Sequence, residues 1–109
     1  MGFFKSTNWH KIANSPEDII LGINNISEIE VNGKVVCIAK GNKGWYAFAQ
    51  KCPHAGGFMS EGYIDNADFV VCPVHRYKFD LSNGRNPAEG YYLKTYKLEI
   101  RPDGVFIAF

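Results

Sequence analysis

Two short stretches concentrate the soft ligands of this chain. Cys52-Pro53-His54-Ala55-Gly56-Gly57 offers a thiolate and an imidazole as C-x-H. Cys72-Pro73-Val74-His75-Arg76-Tyr77 offers the same pair as C-x2-H, with seventeen residues between His54 and Cys72. Together they hold two of the three cysteines and two of the three histidines. Four such ligands suit a metal centre, and two chemistries compete for them. One is a tetrahedral structural zinc. The other is a 2Fe–2S cluster in which two imidazoles replace two thiolates on one iron. Structural zinc sites usually draw like pairs from each segment, whereas each segment here is mixed. Loops lying side by side can present both thiolates to one metal and both imidazoles to the other. A third reading leaves the four as core residues that merely cluster in sequence.

The local chemistry of both loops suits close approach. A proline after each cysteine limits the backbone. Gly56 and Gly57 let the chain turn sharply and bring N–H groups near sulfur, where hydrogen bonds tune a metal centre.

The flanking sequence must hold these loops together, and it reads as strands. Trp9-His10-Lys11-Ile12 continues an opening that begins with Phe3-Phe4 as a first strand. Ser15-Pro16-Glu17-Asp18 reads as the start of a short helix, ended by Asn24-Asn25. Asn32-Gly33 is a two-residue hairpin signal between Ile29-Glu30-Val31 and a buried strand over 34–40. Gly41-Asn42-Lys43-Gly44 turns the chain into Trp45-Tyr46-Ala47-Phe48-Ala49. A hairpin with Asp65-Asn66-Ala67 at its tip separates the two loops and sets them side by side. Residues 77–81 alternate as a half-buried strand. A long strand over 91–101 and a closing strand over 105–109 flank Pro102-Asp103-Gly104. Short strands joined by Gly/Asn turns predict an all-β antiparallel sandwich or small barrel. His10 reads as a half-exposed strand residue, Cys37 as a small buried hydrophobe. Phe58 and Met59 read as core, or as an apolar rim around the loops.

The paired motif C-P-H-x-G and C-P-x-H resembles the signature of the Rieske iron–sulfur proteins. Phe79-Asp80, Asn83-Gly84, Asn86-Pro87-Ala88 and Leu93-Lys94-Thr95-Tyr96 extend the resemblance to the small Rieske ferredoxins over nearly the whole chain. The resemblance implies a Rieske-like antiparallel β-sandwich, one domain over 1–109, with a cluster-binding subdomain at about 50–80. It implies one 2Fe–2S cluster, with Cys52 and Cys72 on the inner iron and His54 and His75 on the outer iron. Pro87 matches a proline segment that covers the cluster in that family. Some members brace the site with a disulfide; Gly57 and Val74 stand at those two places, so this chain resembles the disulfide-free members, in keeping with a reducing compartment. High-potential members have a serine and a tyrosine where Tyr77 and Phe79 stand, so a potential towards the lower end of the family's span is expected. Arg76 replaces a common glycine; its cation would favour the reduced form and could steer an acidic partner.

Function classes can then be narrowed. A net charge of +1 over 109 residues suggests neither nucleic acid nor an anionic membrane surface. No run approaches a transmembrane helix, and no signal-peptide pattern opens the chain, so a cytoplasmic protein is expected. With His54 and His75 spent, His10 cannot supply the two histidines of a non-haem iron triad. There is no Gly-rich dinucleotide fingerprint and no free histidine for a Ser/His/Asp set. The expectation is an electron-transfer component rather than an enzyme. As the resemblance implies, it is a monomer passing electrons from a flavin-dependent reductase to a terminal oxygenase. Two alternatives stand beside it: the small subunit of a nitrite reductase-like enzyme, bound to its large subunit, and a zinc-stabilised binding module.

Overall fold

Alternation along Lys34–Lys40 organises the molecule. In this computed structural model, which describes residues 8–54 and 56–109, that segment is the third strand, and it is buried on both faces. Val36 and Ile38 point into one core, with Val31, Ala47 and Ile107. Cys37 and Ala39 point into another, with Phe48, Met59, Val70 and Phe79. A strand covered on both sides carries an unbroken apolar run, and here residues 35–39 are apolar between the exposed Lys34 and Lys40 at its ends.

Six strands form one antiparallel sheet: β1 (Trp9–Ala13), β2 (Ile26–Val31), β3 (Lys34–Lys40), β4 (Trp45–Ala49), β8 (Thr95–Arg101) and β9 (Gly104–Ala108). Their order is β1-β9-β8-β4-β3-β2. The β4–β8 ladder pairs only Ala47 with Tyr96 and Phe48 with Thr95. The sheet therefore has two three-stranded halves joined by a short seam. A second sheet is built from β5 (Tyr63–Ile64), β6 (Phe69–Val71) and β7 (Lys78–Asp80), in the order β5-β6-β7. The core containing Cys37 and Phe48 lies between the two sheets. It also takes in Cys52 and Cys72. No α-helix occurs among the described residues.

The Asn32-Gly33 hairpin forms as expected. Both residues have positive φ, 51° and 80°, as the mirror-image turn requires. The hairpin between the loops also forms, with Ile64 opposite Val70. The helix expected from Ser15 does not. A single 3-10 turn, Pro16–Asp18, ends at Ile19, and Ser15 makes no capping bond. Only two residues separate Pro16 from the β-branched Ile19-Ile20, too few to offset the cost of nucleating a helix. Ile19 instead packs against the core with Ile38 and Ile107.

The long strand expected over 91–101 is shorter as well, beginning at Thr95. Residues 91–94 cross between elements. Tyr92 makes one isolated bridge to Arg85, and the Leu93 N–H donates to the Gly84 carbonyl at 2.7 Å. A Cβ on Gly84 would collide with the Leu93 carbonyl. Leu93 is thereby drawn into the intersheet core. The expected strand content of residues 1–7 lies outside the described residues.

Candidate metal centre

Both Cys/His loops close in the same way. The Cys52 N–H donates to the Gly57 carbonyl at 2.7 Å, and the Cys72 N–H donates to the Tyr77 carbonyl at 2.8 Å. Each loop is thus a six-residue arch with its cysteine at the inner foot. The first arch is tied further by a Lys51–Phe58 bridge and by the Met59 N–H on the Gln50 carbonyl at 2.7 Å. The second springs from the end of β6 and returns into β7.

At the feet, Cys52 and Cys72 are 3% and 0% exposed. Their side chains are close enough to hydrogen-bond to each other. Burial, then the neighbouring Cys52, pushes the Cys72 thiol up, although the Val74 N–H pulls the other way. Two thiolates could not share this buried spot without a cation between them. At the crowns stand the imidazoles, His54 half-buried and His75 exposed, 6.2 Å apart between ring centroids. His54 Nδ1 is buried and has no hydrogen-bond partner. A buried ring nitrogen is ordinarily satisfied, so this unpartnered one is suited to bind a metal. A Cβ on Gly57 would lie 3.4 Å from Cys72 Sγ, so the missing side chain keeps the first arch tight over the sulfur. Paired buried sulfurs, an orphaned imidazole nitrogen and a bare backbone above them fit a 2Fe–2S cluster. Among the described residues no three His, Cys, Asp or Glu side chains close on a single-ion geometry.

Other expectations resolve differently. His10 sits on β1, its ring 5.2 Å from that of Phe109, in contact with a different part of the fold. Cys37 is fully buried, and burial first, then Glu28 opposite it, pushes its thiol up to about 12. It is inert, as a packed cysteine should be. Phe58 and Met59 split between the two roles offered for them: Met59 is core and Phe58 is 41% exposed beside the first arch. Pro87 is exposed and lines an open cleft with His75, Arg76 and Tyr77. The rings packed on His54 are those of Tyr77 and Tyr91, with centroids 3.8 and 4.9 Å away. Nothing in the sequence pattern singled out Tyr91, because its contact depends on how the 86–90 turn folds.

Asp68 was also missed. Buried at the start of β6, it accepts from the Asn42 N–H at 2.6 Å, the Lys43 N–H at 2.8 Å and the Tyr46 hydroxyl at 2.9 Å. It fastens the β3–β4 turn to the small sheet. Asn24 does related work, donating to the carbonyls of Ser60 and Gly62 at 2.8 and 2.9 Å. The available signal was a polar residue next to an apolar run, which any solvated turn also gives.

His75 and Arg76 have φ values of 63° and 56°, two successive left-handed residues with side chains. Such a conformation costs roughly 1–2 kcal/mol per non-glycine residue. Glycine at 76 would remove that strain but would return roughly 0.5–1 kcal/mol through its freer unfolded chain. Arg76→Gly is therefore expected to raise the melting temperature of the protein by a few degrees in a thermal scan. A lower melting temperature would mean that the arginine side chain makes a stabilising contact.

Gly57 and Val74 are also placed for a cross-link. A Cβ on Gly57 would lie 3.6 Å from Val74 Cβ, inside the roughly 3.5–4.5 Å that disulfides need. The double variant Gly57→Cys/Val74→Cys is expected to oxidise to an intramolecular disulfide, read as a loss of two hydrogen atoms in the intact mass. Two free thiols after oxidation would contradict the arch geometry.

An all-β fold of two sheets, with paired Cys/His arches at one end, defines a class of iron–sulfur protein. The chain belongs to the Rieske [2Fe-2S] domain family, whose model matches residues 8–96. A member of this family carries a 2Fe–2S cluster. The chain is similar to the 3-phenylpropionate/cinnamic acid dioxygenase ferredoxin subunits of Shigella flexneri serotype 5b and Escherichia coli K12, each 35% identical over 66 residues. That alignment covers 58% of this chain and 61% of each relative. Its fold resembles that of the ferredoxin of carbazole 1,9a-dioxygenase from Nocardioides aromaticivorans, with a TM-score of 0.75 at 18% identity, over 92% of this chain and 96% of that one. It also resembles a Mycobacterium tuberculosis protein proposed to be an NADH-dependent nitrite reductase small subunit, with a TM-score of 0.80 at 18% identity, over 96% and 97% of the two chains. A carbazole 1,9a-dioxygenase ferredoxin of the same fold has been captured with its oxygenase. Among the described residues no helix is long and apolar enough to cross a membrane.

Proposed function

We propose that the chain is a soluble, cytoplasmic one-electron carrier of a ring-hydroxylating dioxygenase system, receiving electrons from a flavin-dependent reductase and passing them to a terminal oxygenase. Cys52 and Cys72 would hold the inner iron and His54 and His75 the outer one, within a single domain over 1–109 whose arches and small sheet form a cluster-binding subdomain at about 50–80. The observation that carries this reading is the orphaned, buried Nδ1 of His54, in the same arch as Cys52, whose buried sulfur meets that of Cys72. Ligands spread over arches in this way suit two irons better than one zinc. Similarity to the dioxygenase ferredoxin subunits supports the choice of system. The fold alone is shared with the nitrite reductase-like neighbour and favours neither.

Bound, the cluster supplies a reversible one-electron couple. The protein's part is to exclude water from the sulfurs, fix the imidazoles and set the potential. Phe79, fully buried, brings no hydroxyl to the site. The Tyr77 hydroxyl is spent on Glu89 Oε1 at 3.1 Å. Fewer donors to sulfur stabilise the reduced form less. The midpoint potential is therefore expected towards the lower end of the roughly −150 to +300 mV range of such clusters. Protein-film voltammetry tests both points: a reversible one-electron wave below zero supports the reading, and one well above zero contradicts it.

A further inference from the structure

The two imidazoles are not equivalent. His54 lies face to face with Tyr77, ring centroids 3.8 Å apart and planes 10° from parallel. Tyr91 closes on the same imidazole edge-on at 4.9 Å, and the two tyrosines meet at 6.3 Å. His75 stands exposed at the crown of its arch, between the exposed Val74 and Arg76. We propose that Tyr77 and Tyr91 are positioning residues that cover one face and one edge of His54 and leave the more exposed His75 as the imidazole through which this carrier exchanges electrons.

The cap is built rather than incidental. Tyr77 is fixed at its far end by its hydroxyl bond to Glu89. Glu89 sits in a turn organised by Asn86, a side chain 4% exposed. Asn86 Nδ2 donates to the Lys78 carbonyl at 2.9 Å, its Oδ1 accepts the N–H groups of Ala88 and Glu89, and its own N–H donates to the Tyr91 carbonyl at 2.9 Å. One buried amide thus locks both ends of the cap to β7, the strand that follows the second arch. A satisfied buried network of this kind holds one arrangement. A partner approaching the Tyr77 face or the Tyr91 edge would meet tyrosine before His54. Electron exchange weakens steeply with distance, so the uncovered His75 is the shorter route.

This inference rests on the reading of His54 and His75 as ligands, so the test must separate the two. Oxidised protein, as purified, is treated with diethyl pyrocarbonate, and the labelling rate of each histidine is read by peptide mass spectrometry alongside iron and sulfide content. His75 is expected to label at least tenfold faster than His54. Tyr91→Ala should speed His54 severalfold while leaving His75 and the distant His10 unchanged, and Tyr91→Phe, which keeps the ring, should behave as the parent. Tyr91 is exposed and outside the strands, so its replacement leaves the sheets intact. Brown protein in which His54 and His75 label equally, or in which Tyr91→Ala leaves His54 unchanged, would overturn the proposal alone. Protein lacking iron and sulfide would overturn the ligand reading and this proposal together.

Discussion

Cys72→Ala is expected to abolish the colour of the purified protein and reduce its iron from two atoms per chain to almost none. The side chain is wholly buried at the end of β6 and shares its site with Cys52. No other cysteine can replace it, because Cys37 is held in the middle of β3. The loss extends to stability. A cluster spanning Cys52 and Cys72 closes a loop of about 20 residues, and removing such a cross-link costs about 3 kcal/mol by chain-entropy reasoning. For a domain of this size the melting temperature should fall by roughly 10–20 °C relative to the loaded parent. Cluster-free parent should melt close to the variant. Cys37→Ala is the control: it should stay brown and lose only about 1 kcal/mol, the cost of a small buried group. A Cys72→Ala protein that kept its colour and two irons would contradict the assignment.

Asp68→Ala is expected to destabilise the fold by about 3 kcal/mol, because it leaves two backbone N–H groups and a tyrosine hydroxyl without their buried acceptor. It also puts alanine at a φ of 60°, which aspartate and asparagine tolerate better. Asp68→Asn separates these effects. It keeps the shape and the backbone tolerance but sets an amide NH2 against an N–H donor, so it should cost about 2 kcal/mol. The pH dependence carries a sign. Burial alone would raise the Asp68 carboxyl, but the N–H groups of Lys43 and Asn42 and the Tyr46 hydroxyl outweigh it and hold it below the ordinary 3.8. A carboxyl lowered by folding contributes stability that is fully present above its unfolded value and is lost as pH falls through its folded value. Parent protein should therefore lose stability below about pH 4 more steeply than Asp68→Asn, as read by denaturant midpoints across pH. Parallel pH profiles would show that Asp68 is not the fastening it resembles. Because Asp68 ties the small sheet to the β3–β4 turn, both variants should also lose their cluster faster on dilution into chelator.

Sequence alone revealed the elements whose cause is local. The Asn32-Gly33 turn is dictated by its own backbone, and β3 by its unbroken apolar run, so both could be read directly. The four candidate ligands were equally plain, since their types and spacing are rare together. What escaped depends on contacts distant in sequence. Thr95 rather than Tyr91 begins β8 because Gly84 captures Leu93 from another segment. Pro16–Asp18 stops at one turn because Ile19 finds a core that the sequence does not display. Asp68, Asn24 and Asn86 resemble ordinary turn residues until the fold supplies their partners. The tyrosine cap is of the same kind. Tyr77 and Tyr91 are fourteen positions apart, and a buried asparagine between them determines that both meet His54.

The central claim is that two cysteines and two histidines of this chain hold one 2Fe–2S cluster. Electron paramagnetic resonance of the dithionite-reduced protein, with nitrogen couplings resolved by ENDOR, tests it most directly. The account predicts a brown protein that bleaches on reduction and gives a half-integer-spin signal of low average g. It further predicts strong couplings to two imidazole nitrogens, and loss of the signal in Cys72→Ala. A colourless protein holding one zinc, or a reduced cluster with no nitrogen coupling, would contradict it.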